Sequence, residues 1–167
     1  TRLQGDWSSD VCSSDLADWI RPLLEERGEV SFWKLFLKPG RPFAFGQVAG
    51  RPFFGLPGNP VAAAITALQL LWPALQVLEG AQPRLPPRLR VTLASPLRRS
   101  AGRPELARAQ LRVGPDGEPL AEVEGSQASS RIGSLQGADL LLEIPAERGD
   151  LQAGQRLWAQ LLCLPIF

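Results

Sequence analysis

Apolar positions fall into two long runs near the start of the chain and many short ones after it. Trp19, Ile20, Leu23 and Leu24 recur at helical spacing, predicting a helix over Ala17 to Arg27 that Gly28 is placed to stop. Val30 to Leu37 is a mostly apolar run, the pattern of a strand buried on both faces of an α/β sheet. Phe43 to Val48 and Pro52 to Leu56 predict a hairpin around Ala49-Gly50-Arg51. A helix follows from Pro60 to about Leu78. Asn59 is a good N-cap, Pro60 suits the first helical position, and Pro73 should kink or break the helix.

The period changes after the Pro-rich stretch Glu79 to Pro87. Short strands are predicted over Arg88 to Ala94, Leu106 to Val113, Pro119 to Glu124, Leu140 to Ile144 and Gln155 to Leu164. Gly114-Pro115-Asp116-Gly117 and Ala153-Gly154 read as turns. The expected fold class is therefore α/β followed by a small all-β, barrel- or sandwich-like domain. The expected boundaries are 17–80 for the first part, 81–87 for the linker and 88–167 for the second. Residues 1–16 repeat WSSDV as CSSDL without apolar periodicity, and are expected to be a non-native or disordered leader.

Two loops concentrate the candidate chemistry. Lys38-Pro39-Gly40-Arg41-Pro42 sets a point charge and a planar guanidinium fork on a stiff frame. Pro57-Gly58-Asn59-Pro60 leads into the helix, whose N-terminus offers unpaired N–H groups and partial positive charge. Both loops attract anions and follow neighbouring strands, so Lys38, Arg41 and the backbone at Gly58 and Asn59 are expected to line one cleft.

These two loops carry a family resemblance. FWKLFLKPGRPFAFG followed by FGLPGNPVAA resembles the molybdopterin molybdenumtransferases, the bacterial MoeA proteins and the gephyrin E domain, whose pattern is roughly KPGKPxxFG…GLPGNPVS. The likeness runs from Ala17 to the C-terminus. It implies the end of a three-layer α/β molybdopterin-binding domain joined to a C-terminal β-barrel-like domain. It also implies insertion of molybdenum from molybdate into adenylylated molybdopterin with release of AMP, by positioning and charge neutralisation. Lys34 and Lys38, which share a face if both lie on one strand, match Lys in family members and would be catalytic. Lys38, Arg41, Pro42, Gly58, Asn59 and Pro60 would bind substrate. Two fainter matches add to this set. Gly102 to Arg108 resembles the family's GRxxFxRG segment and offers Arg108. Gly125 to Ser129, with Ser134, resembles its GxQGSxxxxS loop and offers Ser129 and Ser134.

The departures bear on function. Arg41 stands where the family often has Lys, and Ala62 where it often has Ser. The family's Mg²⁺ is held by acidic residues upstream of the position of Ala17, so no metal ligand is assigned here. The resemblance thus implies the C-terminal part of a longer, cytoplasmic enzyme that is a homodimer when whole. A non-catalytic anion-binding or partner-interaction module is the alternative.

Composition narrows the classes further. The chain has 167 residues, a net charge of +1, no His and two Cys, Cys12 and Cys163. No overall charge points to nucleic acid or membrane, the usual general base is missing, and a reducing compartment is the natural reading. Val61 to Leu78 is charge-free and reaches the lower limit of a membrane span, but Thr66, Gln69, Gln76 and Pro73 favour a packed helix. Arg84 to Arg112 holds eight Arg against one acid, Glu105, while the residues after it are acid-rich. Two oppositely charged solvated faces account for this. A phosphate-bearing ligand would give some of these Arg a second use.

Overall fold

The computed structural model describes residue 26, residues 28–123, residue 127 and residues 133–162. The expected leader, the helix expected over Ala17 to Arg27 apart from Glu26, both Cys and Ser129 lie outside the described residues.

Strands β1 (Gly28–Lys34), β2 (Pro42–Val48) and β3 (Arg51–Gly55) form an antiparallel sheet in that order. The hairpin between β2 and β3 pairs Val48 with Arg51, so the turn is Ala49-Gly50 alone. Both turn residues have positive φ, 50° and 73°, the mirror-image turn that matches the twist of the strands. Here the expectation for the first apolar run is corrected. The chain leaves the sheet at Lys34, and Phe36 is exposed. Leu35 donates its N–H to the Arg41 carbonyl at 2.9 Å, closing a loop where the strand was expected to continue. The sheet is antiparallel, and the described residues contain no three-layer α/β arrangement.

Helix α1 (Pro60–Leu78) begins as expected. The Asn59 side chain accepts from the Val61 and Ala62 N–H groups at 3.2 and 3.5 Å. Pro73 neither breaks nor ends it. The helix runs Pro60–Thr66, widens to a π-helical segment Ala67–Leu71, and continues Trp72–Leu78. Trp72 donates to the Ala67 carbonyl, five residues back. The wider turn changes the local pairing directly before the residue that has no N–H to give. By length and composition α1 could cross a membrane. In the fold, however, its Val61 and Ile65 sit fully buried against strand residues, and Gln69 bonds to one of the strands below.

The second part is a closed barrel of β4 (Arg88–Leu93), β5 (Glu105–Val113), β6 (Pro119–Glu122), β7 (Leu140–Ile144) and β8 (Arg156–Leu161), in the order β4-β6-β5-β7-β8. A short helix α2 (Gly133–Gln136), unforeseen in the sequence, lies between β6 and β7. The alternation of a strand sets two cores. Ala107 and Ala109 of β5 and Leu140, Leu142 and Ile144 of β7 fill the barrel interior with Val91, Leu93, Leu157 and Ala159. Leu106 and Leu141 point the other way, into a second cluster with Val61 and Ile65 of α1, packed by Leu37. Residues 81–87 have no regular structure, yet the two parts share this second core.

Candidate functional site: the Lys38 loop and its seat on the barrel

The Lys38 loop is fixed at both sides. Its Lys38-Pro39 peptide is cis, and Gly40 has φ +123°, a region closed to most L side chains. Gly40 lies against Thr66 of α1, where a Cβ would meet Thr66 Cγ2 at 2.6 Å. On the other side Lys38 pairs with the start of β5. Its N–H donates to the Pro104 carbonyl at 3.0 Å, and its carbonyl accepts from the Leu106 N–H at 2.8 Å. The loop thus forms a short parallel bridge to the barrel, wedged between strand and helix.

Side chains extend the bridge. Glu105 Oε1 accepts from Lys38 Nζ at 3.1 Å, and Glu105 Oε2 from Arg99 Nε at 3.0 Å. Glu105 and Arg99 are buried, at 5% and 2% side-chain exposure, while Lys38 remains 47% exposed. Arg99 also donates to the backbone carbonyls of Arg103, Pro145 and Arg148. Its guanidinium is therefore locked in place, with three of its contacts in the connections at one end of the barrel and the fourth on Glu105 at the start of β5. Glu105 has the register parity of Ala107 and Ala109, which places it at that barrel mouth rather than on the outer wall.

Arg108 stands on the opposite parity and is 3% exposed. Burial lowers its pKa and the Glu105 charge raises it; the group stays a cation at any physiological pH. Gln127 clasps its backbone, accepting from the Arg108 N–H at 2.9 Å and donating to the Arg108 carbonyl at 3.1 Å. This joins the two faint sequence segments, Gly102 to Arg108 and the Gly125 to Ser129 loop. Ser134 lies in α2.

Of the residues singled out from sequence, Lys38 is thus drawn to Glu105 by an ion pair, while Arg108 stands on the opposite face of β5 and feels the Glu105 charge. Lys34 is not on one strand with Lys38: it pairs with Pro42 at the sheet edge, exposed, and the same-face argument for the two Lys fails because the chain turns between them. Arg41 is exposed and Pro42 half-buried at the start of β2. Gly58, Asn59 and Pro60 stand at the start of α1, near the cluster that Leu37 and Val61 share. The expectation of unpaired N–H groups there is corrected. Val61 and Ala62 donate to the Asn59 side chain, Ala63 donates to the Asn59 carbonyl at 2.8 Å, and Pro60 has no N–H. What remains for an anion is the partial charge of the helix end.

Glu105 and Arg99 were missed as site residues. The available signal was Glu105 as the one acid within the Arg-rich stretch, where the cationic partner that a buried carboxylate needs is at hand. Among the described residues no group of three Asp, Glu or Cys stands close enough to hold a metal ion. Both oxygens of Glu105 are already held by cations. The described residues therefore do not fit the Mg²⁺ that the resemblance implies.

A mixed barrel with a Pro/Gly cationic loop seated on it defines a class, and comparison with known proteins gives the class its name. Residues 90–162 match the family model for the MoeA C-terminal region (domain IV). Across 83% of its length the chain is 34% identical to a molybdopterin molybdenumtransferase of Haemophilus influenzae, of which it covers 35%. It is 34% identical, over 84% of its length, to the molybdenum cofactor synthesis protein cinnamon of Drosophila melanogaster, covering 24% of that protein. A crystal structure of a molybdopterin biosynthesis MoeA protein from Pyrococcus horikoshii superposes with a TM-score of 0.70 at 26% identity, over 87% of this chain and 35% of that one. The chain belongs to the MoeA and gephyrin family of molybdopterin molybdenumtransferases. It spans 24% to 35% of the length of these relatives.

Proposed function

We propose that the chain is the C-terminal part of an enzyme of molybdenum cofactor biosynthesis, a transferase that inserts molybdenum from molybdate into adenylylated molybdopterin and releases AMP. The observation that carries this is the seating of the Lys38 loop on β5. It holds Lys38 half-exposed on the buried Glu105 carboxylate, which Arg99 grips from its other oxygen. Such a site suits oxyanions and phosphoryl groups and offers no nucleophile, so its contribution is positioning and neutralisation of charge.

Lys38 and Arg41 take the oxyanion, with Lys34 and Pro42 beside them at the loop's base. The helix end at Gly58, Asn59 and Pro60 adds partial positive charge. Arg108, with the loop that carries Ser129 and with Ser134, receives the other end of a phosphorylated substrate. The whole protein supplies the rest: the remainder of a three-layer α/β domain, the acidic ligands for Mg²⁺, and a homodimer partner in the cytoplasm. On this reading the domains divide at residues 81–87.

A chimera tests the proposal. The corresponding part of the Haemophilus influenzae relative is replaced by this chain, and AMP release from adenylylated molybdopterin is followed with Mg²⁺ and molybdate. The chimera is expected to release AMP, and its Arg41→Glu variant to lose at least an order of magnitude in rate. A folded chimera that releases none overturns the assignment. A second reading, a non-catalytic anion-binding or partner-interaction module, draws on the exposed Trp72, Leu75 and Leu78 of α1. It predicts anion binding without AMP release in the chimera.

A further inference from the structure

We propose that Glu105 is a positioning residue: it orients the Lys38 ammonium toward an incoming oxyanion, and Arg99 neutralises it from behind so that Lys38 keeps its charge for the substrate. This rests on the reading of the Lys38 loop as an oxyanion site. Four observations lead to it. The bridge between Lys38 and Glu105 puts the two residues level with each other. The two carboxylate oxygens are divided, Oε1 to Lys38 and Oε2 to Arg99. The Arg99 guanidinium is held by three backbone carbonyls besides Glu105, so it cannot follow a ligand. Only Lys38 of the three is open to solvent.

The arrangement answers a physical difficulty. A Lys on a flexible four-carbon stem loses much side-chain entropy when an anion fixes it. A carboxylate that fixes it beforehand removes that cost, but by itself would cancel the charge. Here a buried Arg offsets the carboxylate, leaving the triad with a net single positive charge at its exposed member. An ammonium has three donors, so one can stay on Glu105 while the others meet the anion.

The two possible roles of Glu105 have opposite signs in experiment. If its charge only repels anions, Glu105→Gln tightens oxyanion binding. If it positions Lys38, the same change weakens it: the single amide oxygen of Gln goes to the fixed Arg99, and its NH₂ turns to Lys38. The 167-residue chain is titrated with sodium molybdate, and affinity is read from NMR shifts of the amides of Lys38, Gly40 and Arg41. Four proteins are compared: wild type, Lys38→Met, Glu105→Gln and the double variant. Glu105→Gln is expected to weaken binding roughly three- to tenfold, the scale of one side chain's ordering entropy. The double variant is expected to be no weaker than Lys38→Met, and Glu105→Asp to recover part of the loss. Unchanged or tighter binding by Glu105→Gln, with Lys38→Met weakened, overturns the proposal and leaves the oxyanion site standing. No effect of Lys38→Met, or no binding by the wild type, overturns the site reading and this proposal with it. Should Glu105→Gln fail to fold, Arg99→Met with Glu105→Gln removes both buried charges together, and wild-type affinity in that protein overturns the proposal.

Discussion

Gly40 meets Thr66 so closely that a Cβ on the glycine would stand 2.6 Å from the threonine Cγ2. The contact ties the cationic loop to the second turn of α1, while Lys38 ties its other side to β5. Gly40→Ala is therefore expected to cost about 1–3 kcal/mol, from overpacking and from the positive φ together. Thr66→Ser removes Cγ2 but keeps the hydroxyl that donates to Ala62 and Ala63. It should recover the overpacking share only. Denaturant midpoints of the two single variants and the double variant measure this coupling.

Arg99 is expected to matter more than any exposed Arg. Arg99→Met leaves the Glu105 carboxylate buried with Lys38 as its remaining ion-pair partner, and should cost about 3–5 kcal/mol. Replacing both at once, Arg99→Met with Glu105→Leu, should return most of that loss, because an apolar pair carries no desolvation penalty. A double variant as unstable as Arg99→Met alone would place the cost elsewhere, in the three backbone carbonyls that Arg99 serves.

Leu141 and Leu142 are adjacent and fully buried, but they face different cores. Each change to Ala should cost about 2–5 kcal/mol. Hydrogen exchange should separate them. Leu141→Ala loosens the seat of α1, so amides at Ile65 and Thr66 should exchange faster with the barrel amides less affected. Leu142→Ala should raise exchange across the barrel strands. Identical exchange patterns would contradict the division into two cores.

Asn59→Ala should destabilise the chain by about 1 kcal/mol, since two first-turn N–H groups lose their acceptor. Asn59→Asp keeps the acceptor and adds a favourable charge at the helix end, so its thermal midpoint should equal or exceed that of the wild type. The same carboxylate should weaken molybdate binding if the helix end belongs to the oxyanion site.

Features that local chemistry governs could be read from the residues alone. The hairpin around Ala49-Gly50-Arg51 was legible because Gly50, between two apolar runs, takes positive φ without steric cost; the positive φ of Ala49 beside it was not. Asn59-Pro60 starts a helix because cap and first-turn geometry are settled within four residues. Gly114 to Gly117 makes its turn for the same reason, with Gly117 at φ 78°. The two loop motifs at their observed separation were enough to reach the family. Tertiary structure alone decided the rest. The apolar pattern of Val30 to Leu37 looks the same whether the strand continues or turns away, and the turn at Lys34 depends on Arg41 and on β5. Above all, the pairing of Lys38 with Glu105 spans more than sixty positions of sequence, by about the difference of their numbers. Charge pairing over such a distance leaves no periodicity in the chain, because it is made where two surfaces far apart in sequence meet.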